Sequence, residues 1–471
     1  MTRLHPLIVV ALLGGCTTVG PDYVAPETSI AEQWQEPADS GAVDPAWWDQ
    51  FGDPQLASLI ERALAGSPTV AEAEARLAEA RANRDATLGR RLPQAEVSGS
   101  ATENRLSKNG QLPVSSIPGF DPEYSLFDLG FDASWEIDFW GRRTREAQGA
   151  GARVEAAEAR RNDALVMLSA EIARSYMDLR LAQAQAGEAE AAARAAADLA
   201  ELADQRYQAG EDSQLAAEQA QARAASASEA VGRLRSQEAG SAYRLATLVG
   251  VMPEEIVPEL RVAAAQPEAP ETILVGLRSD LLRRRPDVRA AERDLAAASA
   301  DIGVATADLF PRFSLMGGLG MQARSADDLT DSDSLRFAIG PRFSWPIFSG
   351  GRIRAQIRAA DARADGAAAR YDQAVITALA DSEAAINRYL EAQRTEDASA
   401  AALAAQKRAF ALSEARFESG EDNRLMLESA RLDLIASERA LASAKAEAAQ
   451  AAVALFKALG GAWQAPPPAG S

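Results

Sequence analysis

From Phe127 to Asp138 apolar and polar residues alternate without a break. Phe127, Leu129, Phe131, Ala133, Trp135 and Ile137 fall on one face, and Asp128, Gly130, Asp132, Ser134, Glu136 and Asp138 on the other. A period of two predicts a β-strand, and one apolar face backed by an acidic one suits a strand between lipid and water. A half-buried strand of a soluble sandwich would alternate too, but four acids on one face fit a wet surface better than a packed one. The pattern then changes. Gly141 and Arg142 follow, and no proline occurs until Pro253. Leu165, Leu168, Ile172, Tyr176 and Leu179 recur near heptad positions, with alanine filling most of the remaining stripe. This predicts one helix from Arg142 to Ala209, about 68 residues or roughly 100 Å long, where an average helix has about 12 residues. A stripe of that length needs partner helices along all of it. Gly210 ends the helix, and Asp212 or Ser213 is placed to cap a returning helix that runs to about Val249.

The same plan recurs 210 residues later. Trp135 maps to Trp345, Gly141 to Gly351, Arg142 to Arg352, Arg206 to Arg416, Gly210 to Gly420, Glu211-Asp212 to Glu421-Asp422, and Gly250 to Gly460. Upstream the offset is 218: Pro68 matches Pro286, and Leu92-Pro93 matches Phe310-Pro311. The chain is therefore a duplicated unit with fixed helix lengths, and the loop between the first two strands is eight residues longer than its counterpart. Each unit reads as short helices, two strands and a long helical hairpin. Strands are expected at about 93–105, 127–138, 312–323 and 335–347, with a loop over 106–124. The expected organisation is residues 1–15 as a signal peptide, 16–53 as an extended segment, 54–250 as the first repeat, 251–270 as a Pro- and acid-rich connector, 271–461 as the second repeat with a short helix at about 272–285, and 462–471 as a Pro-rich tail.

Composition narrows the function. The formal charge of −19 argues against a nucleic-acid partner, which needs a basic face. The one histidine is His5 and the one cysteine Cys16. With the leader removed and the thiol blocked by lipid, histidine acid–base catalysis, thiol nucleophiles, disulfides and His/Cys zinc sites all drop out. Nothing resembles a phosphate loop or a nucleophile motif. The apolar run Leu7–Leu13 is too short to span a bilayer and fits a secretory leader. Leu13-Gly14-Gly15-Cys16 resembles the bacterial lipobox, which implies cleavage before Cys16 and lipid on its sulfur. Thr17, rather than Asp, follows it, which by resemblance to lipoprotein sorting favours the outer membrane.

Four membrane-length strands leave two bare edges, which lipid does not tolerate. Two copies with eight strands, or three with twelve, would close a barrel. Here the sequence resembles the outer membrane factor family, the TolC-like exit ducts of tripartite efflux pumps, and most closely its NodT-type lipoprotein branch. The resemblance rests on the lipobox, Trp135-Glu136-Ile137-Asp138-Phe139-Trp140-Gly141-Arg142-Arg143, Arg284-Arg285-Pro286-Asp287-Val288, Phe310-Pro311-Arg312-Phe313, Trp345-Pro346-Ile347-Phe348-Ser349-Gly350-Gly351-Arg352 and the two hairpin tips. It covers about 20–463. It implies a mainly α fold with transmembrane β: a homotrimer forming a twelve-stranded β-barrel in the outer membrane, continued by a long α-helical barrel of coiled-coil hairpins. It also implies a periplasmic adaptor, an inner-membrane RND-type pump, a Gram-negative cell, passive export of drugs and other small molecules, and no cofactor beyond the lipid. Metal-ion or type I protein secretion, or a structural coiled-coil lipoprotein, are the alternatives.

Four sets of residues stand out. Cys16 is the anchor. Arg206, Tyr207 and Gly210, with Arg416, Phe417 and Gly420, match the family's tips, which meet the adaptor; glycine capping alone would also account for the glycines. The family's gate aspartates fall on Met426 and Ser429 here, so Asp212, Glu218, Asp422 and Glu428 are the candidate gate acids, with a plain solvated helix face as the alternative. Trp135, Trp140, Gly141, Trp345, Pro346 and Gly351 mark the strand–helix junctions, where the tryptophans would form an interfacial belt or plug the junction. The acidic face of the strand at 127–138 would favour cations in an open pore.

Overall fold

A computed structural model describes residues 18–26, 31, 33–37, 39, 41, 44–107 and 121–461. Cys16, the leader, most of the first inter-strand loop and the tail lie outside the described residues. The elements are α1 (Pro54–Gly66), α2 (Pro68–Gly89), β1 (Gln94–Arg105), β2 (Glu123–Ile137), α3 (Arg142–Gln208), α4 (Gln214–Val249), α5 (Pro253–Leu260), α6 (Arg278–Arg284), α7 (Pro286–Ala307), β3 (Arg312–Ala323), β4 (Leu335–Ser344), α8 (Arg352–Glu418) and α9 (Arg424–Ala458). α3 and α8 have 67 residues each. None of the described helices is long and apolar enough to cross a membrane.

The chain forms two compact units, and both take residues from both repeats. The first draws on Met1–Pro26, Ala78–Ala156 and Ala291–Tyr371. Its centre is one antiparallel sheet of four strands in the order β1-β2-β3-β4, so β1 and β4 are the free edges. Residues directly opposite one another share a face. Val97, Phe131, Leu319 and Phe337 therefore lie on one side with Leu129, Leu315, Ile339 and Phe343, and all of these are exposed in the single chain. An exposed apolar sheet face of this extent is what lipid covers and water does not.

The second unit draws on Glu27–Leu77, Ala157–Ala290 and Asp372–Ser471. The leucine stripe of α3 is its core: Leu168, Ile172, Tyr176 and Leu179 are buried with Leu56, Ile60, Leu245, Ile256 and Phe456. Trp47 stacks on Phe456 at 5.1 Å between ring centroids. The extended N-terminal segment is stitched on by hydrogen bonds, with Val275 N donating to Asp39 O at 3.0 Å and Trp34 Nε1 to Gly276 O at 3.0 Å. That stitching shortens the helix expected over 272–285. Residues 273–275 are held extended, and the helix begins at Arg278. The connector differs too. It reads as a Pro- and acid-rich connector, and it contains a short helix: Pro253 occupies the first turn, Glu255 caps Met252 N at 3.1 Å, and Ile256, Val257 and Leu260 are buried as α5.

Two buried arginines organise this unit. Arg180 donates to the Tyr176 hydroxyl, to Val262 O at 2.8 Å and to Gln55, while Tyr176 donates to Asp53 Oδ2 at 2.7 Å. Asp53 in turn caps α1. Arg285 forks onto Asp287 at 3.0 and 2.7 Å, and reaches the carbonyls of Ala378 and Ala458 at 3.4 and 3.3 Å and Asp381 at 3.5 Å. The Arg284–Val288 motif is thus a fastener joining the start of α7 to α8 and α9.

Candidate functional site: the hairpin tips and the strand–helix junctions

Each long helix stops at a glycine in the left-handed region, Gly210 at φ +75° and Gly420 at φ +77°. The chain then reverses in the same way twice. Glu211 N donates to Arg206 O and Glu421 N to Arg416 O, both at 2.9 Å, and Gly210 N and Gly420 N donate to Tyr207 O and Phe417 O at 3.0 Å. A side chain at either glycine would meet no neighbour within 4 Å, so only the backbone conformation demands glycine there. Ser213, not Asp212, caps the returning helix, as Asn423 does in the second repeat.

The acidic residues beside the tips have different partners. Asp422 is held by Arg416 at 2.8 Å, and Asp212 faces Arg206 at 3.7 Å. Glu428 is buried and lies 3.9 Å from Arg424 and 3.3 Å from Arg431. Its repeat mate Glu218 is exposed and has no ion pair among the described residues, because Gln214 and Gln221 stand where Arg424 and Arg431 stand. Within one chain, three of the four candidate gate acids are neutralised by arginines of the same hairpin. Tyr207 and Phe417 are exposed, and so are Leu215 and Leu425, one on each returning helix. The candidate tip residues read from the sequence do not include these two leucines, although the 210-residue offset relates them as it relates the aromatics.

At the junctions, Trp135 Nε1 donates to Arg91 O at 2.9 Å and Trp345 Nε1 to Leu309 O at 3.0 Å. Both rings remain substantially exposed. Trp140 instead stacks on Phe310 at 4.7 Å and donates to Pro311 O at 2.8 Å, so it plugs its junction. Gly141, Gly350 and Gly351 all have positive φ where strand turns into helix, and Pro346 lies between Trp345 and that turn. Gly141 has a second constraint: a Cβ there would come within 2.5 Å of Thr18. Thr18 belongs to a strap over the junction. Val19 N donates to Trp140 O at 3.0 Å, and the buried Arg145 donates to Val19 O and Gly20 O at 3.1 Å each and pairs with Asp22 at 2.8 Å. Nothing in the sequence distinguishes Arg145, which reads there as one more arginine at a helix start.

The acidic strand face is less negative than its sequence suggests. Asp128 is bound by Arg336 of β4, which crosses β3 over Gly320. Glu136 is bound by Arg142 and Arg143 at 2.6 and 2.8 Å, and Asp138 caps α3 through Arg143 N and Thr144 N. Among the described residues Asp132 accepts from Ser98 at 3.2 Å and has no ion pair. The cation preference expected from four free acids is therefore weakened, because two of them, Asp128 and Glu136, are paired with arginines within the chain. Among the described residues no acidic, His or Cys cluster could hold a metal ion.

A sheet bare at both edges and apolar outside, with paired helical hairpins, is the makeup of a membrane channel subunit. Comparison with known proteins agrees. The profile of the outer membrane efflux protein family matches residues 59–251 and 277–461. The chain is 31% identical over 477 residues to the pyoverdine export outer membrane protein OpmQ of Pseudomonas aeruginosa, covering 98% of each. It is 27% identical to the multidrug resistance outer membrane protein MdtP of Escherichia coli, covering 99% of this chain and 98% of that one. Among solved structures, the outer-membrane channel OprN superposes with a TM-score of 0.84 at 36% identity, covering 94% of this chain and 99% of that one. This chain therefore belongs to the outer membrane efflux protein family: it is not an enzyme but the outer-membrane channel of a tripartite efflux pump in a Gram-negative cell.

Proposed function

We propose that three copies of this chain assemble into one passive duct for drugs and other small molecules. An inner-membrane RND-type pump drives it, and a periplasmic adaptor is held at the hairpin tips. The observation that carries this is the sheet: four strands with two bare edges and an exposed apolar face leave one copy unfinished in lipid. Three copies supply twelve strands and six hairpins. The adaptor contact is supported by the exposed pairs Tyr207 with Leu215 and Phe417 with Leu425, repeated at equivalent places on the two tips. Glu218, the candidate gate acid without an arginine partner, is the acid left to form a ring in the closed trimer. The test is purification in mild detergent followed by planar-bilayer recording. A stable trimer with discrete conductance steps is expected; a silent monomer overturns the reading.

Lipid on Cys16 completes the picture as a tether. The strands already hold the protein in the bilayer, and a lipid anchor adds little to a spanning structure. Cys16→Ala is therefore expected to lower yield or sorting to the outer membrane while leaving single-channel conductance unchanged. Loss of trimers in that variant would show that the lipid has an essential assembly role.

A further inference from the structure

We infer the strand register at which neighbouring copies join, which rests on the trimer proposed above. The free edges are β4 of one copy and β1 of the next. The duplication supplies the rule for pairing them. Residues of β4 correspond to those of β2 at an offset of 210, and residues of β3 to those of β1 at 218. The rule reproduces a known pairing: Gln94 opposite Ser134 in β1–β2 becomes Arg312 opposite Ser344 in β3–β4, and Val97 opposite Phe131 becomes Leu315 opposite Pro341. Both are the observed pairs. The β2–β3 ladder is then the template for the seam. Ser134 opposite Met316 places Ser344 opposite Ser98 of the partner subunit. Ala133 opposite Gly317 places Phe343 opposite Gly99 of the partner subunit, and Trp135 opposite Leu315 places Trp345 opposite Val97 of the partner subunit.

Side-chain sizes agree with this register. Phe343 stands where the internal ladder has Ala133, and the glycine facing it leaves the room a phenyl ring needs. The register keeps parity, so the apolar faces of both copies stay on one side. Exposure marks these residues as uncovered: Phe343 is 69% and Val97 74% exposed, against 49% for Phe131 in an interior strand of the same sheet. Strand addition also satisfies the two rows of backbone groups left open at the edges.

Paired cysteines test it, since the natural sequence has one cysteine, Cys16. Ser98→Cys with Ser344→Cys, treated with a short bifunctional thiol reagent, should convert most of the detergent-purified trimer into boiling-resistant covalent dimers and trimers. Each single variant should yield none, which controls for Cys16. Thr102→Cys with Ser344→Cys places the thiols four residues out of register, about 13 Å apart along the strand, and should stay monomeric on the denaturing gel. Coupling of the second pair in place of the first, or an intact trimer that neither pair captures, overturns the register while the trimer stands. A wild-type chain that runs as a monomer in detergent overturns the trimer and the seam with it.

Discussion

Replacing Gly210 and Gly420 together by valine should abolish efflux while leaving assembled trimers. Both glycines sit at φ near +75°, in a region a β-branched residue avoids, and neither has a neighbour within 4 Å that a side chain would strike. The penalty is therefore confined to the turn. It is about 1–2 kcal/mol per tip for a non-glycine residue, and two strained tips weaken a contact that needs both by about thirtyfold or more. The bonds at risk are local, Glu211 N to Arg206 O and Glu421 N to Arg416 O. The check is drug susceptibility of a host deleted for its own channel and complemented with the variant, alongside a detergent trimer assay. Alanine at Tyr207 and Phe417 removes exposed aromatic surface without touching φ, and should lower efflux in the same direction. Normal efflux in the double valine variant would remove the tips from the coupling mechanism.

The second large effect is expected at Arg285. Arg285→Met keeps the stem but leaves Asp287 and Asp381, with Asp163 nearby, without their shared cation. Removing one partner of a fully buried pair costs about 3–5 kcal/mol, and about 1–2 kcal/mol is expected here because the Asp287 and Asp381 side chains are 36% and 54% exposed and keep much of their hydration. The loss depends on pH. Burial already pushes the Asp163 carboxyl up, and the nearby Asp287 adds to this, while Arg285 and Lys457 oppose it. A carboxyl whose pKa is raised on folding costs nothing below its unfolded pKa, and costs most above its folded one. Without Arg285 that cost grows. The melting temperature of the variant should therefore fall further below wild type at pH 7.5 than at pH 4.5. Arg285→Lys restores the charge but not the fork, and should recover part of the deficit. An equal drop at both pH values would mean that lost packing, not unpaired carboxylates, causes the instability.

Much of this architecture can be read without coordinates, because it rests on periodicity. Alternation over 127–138 marks a strand whatever it packs on, and a proline-free heptad stripe marks a long helix. The constant offset of 210 shows that both hairpins have the same length. The junctions and tips are legible for a related reason: glycine and proline act through φ, which is local. The acids are misjudged from sequence because charge along a chain carries no information about partners. Asp128 and Arg336 are 208 positions apart and meet only because β3 presents Gly320 between them. The connector hides α5 for a related reason: Pro253 is accepted at the first helical position, and the burial of Ile256 and Leu260 that holds the short helix is set by distant partners.

By itself, then, the sequence determined the repeated plan, the element types, the wet and apolar faces of the strands and the turn positions, all properties of short stretches obeying steric and periodic rules. The tertiary structure alone decided which carboxylates keep their charge unmatched, which arginines fasten helices together, how the segment after Cys16 straps over Gly141 and which strands are left at the edges. Those outcomes depend on side chains brought together across hundreds of positions, where folding rather than local spacing sets the distance.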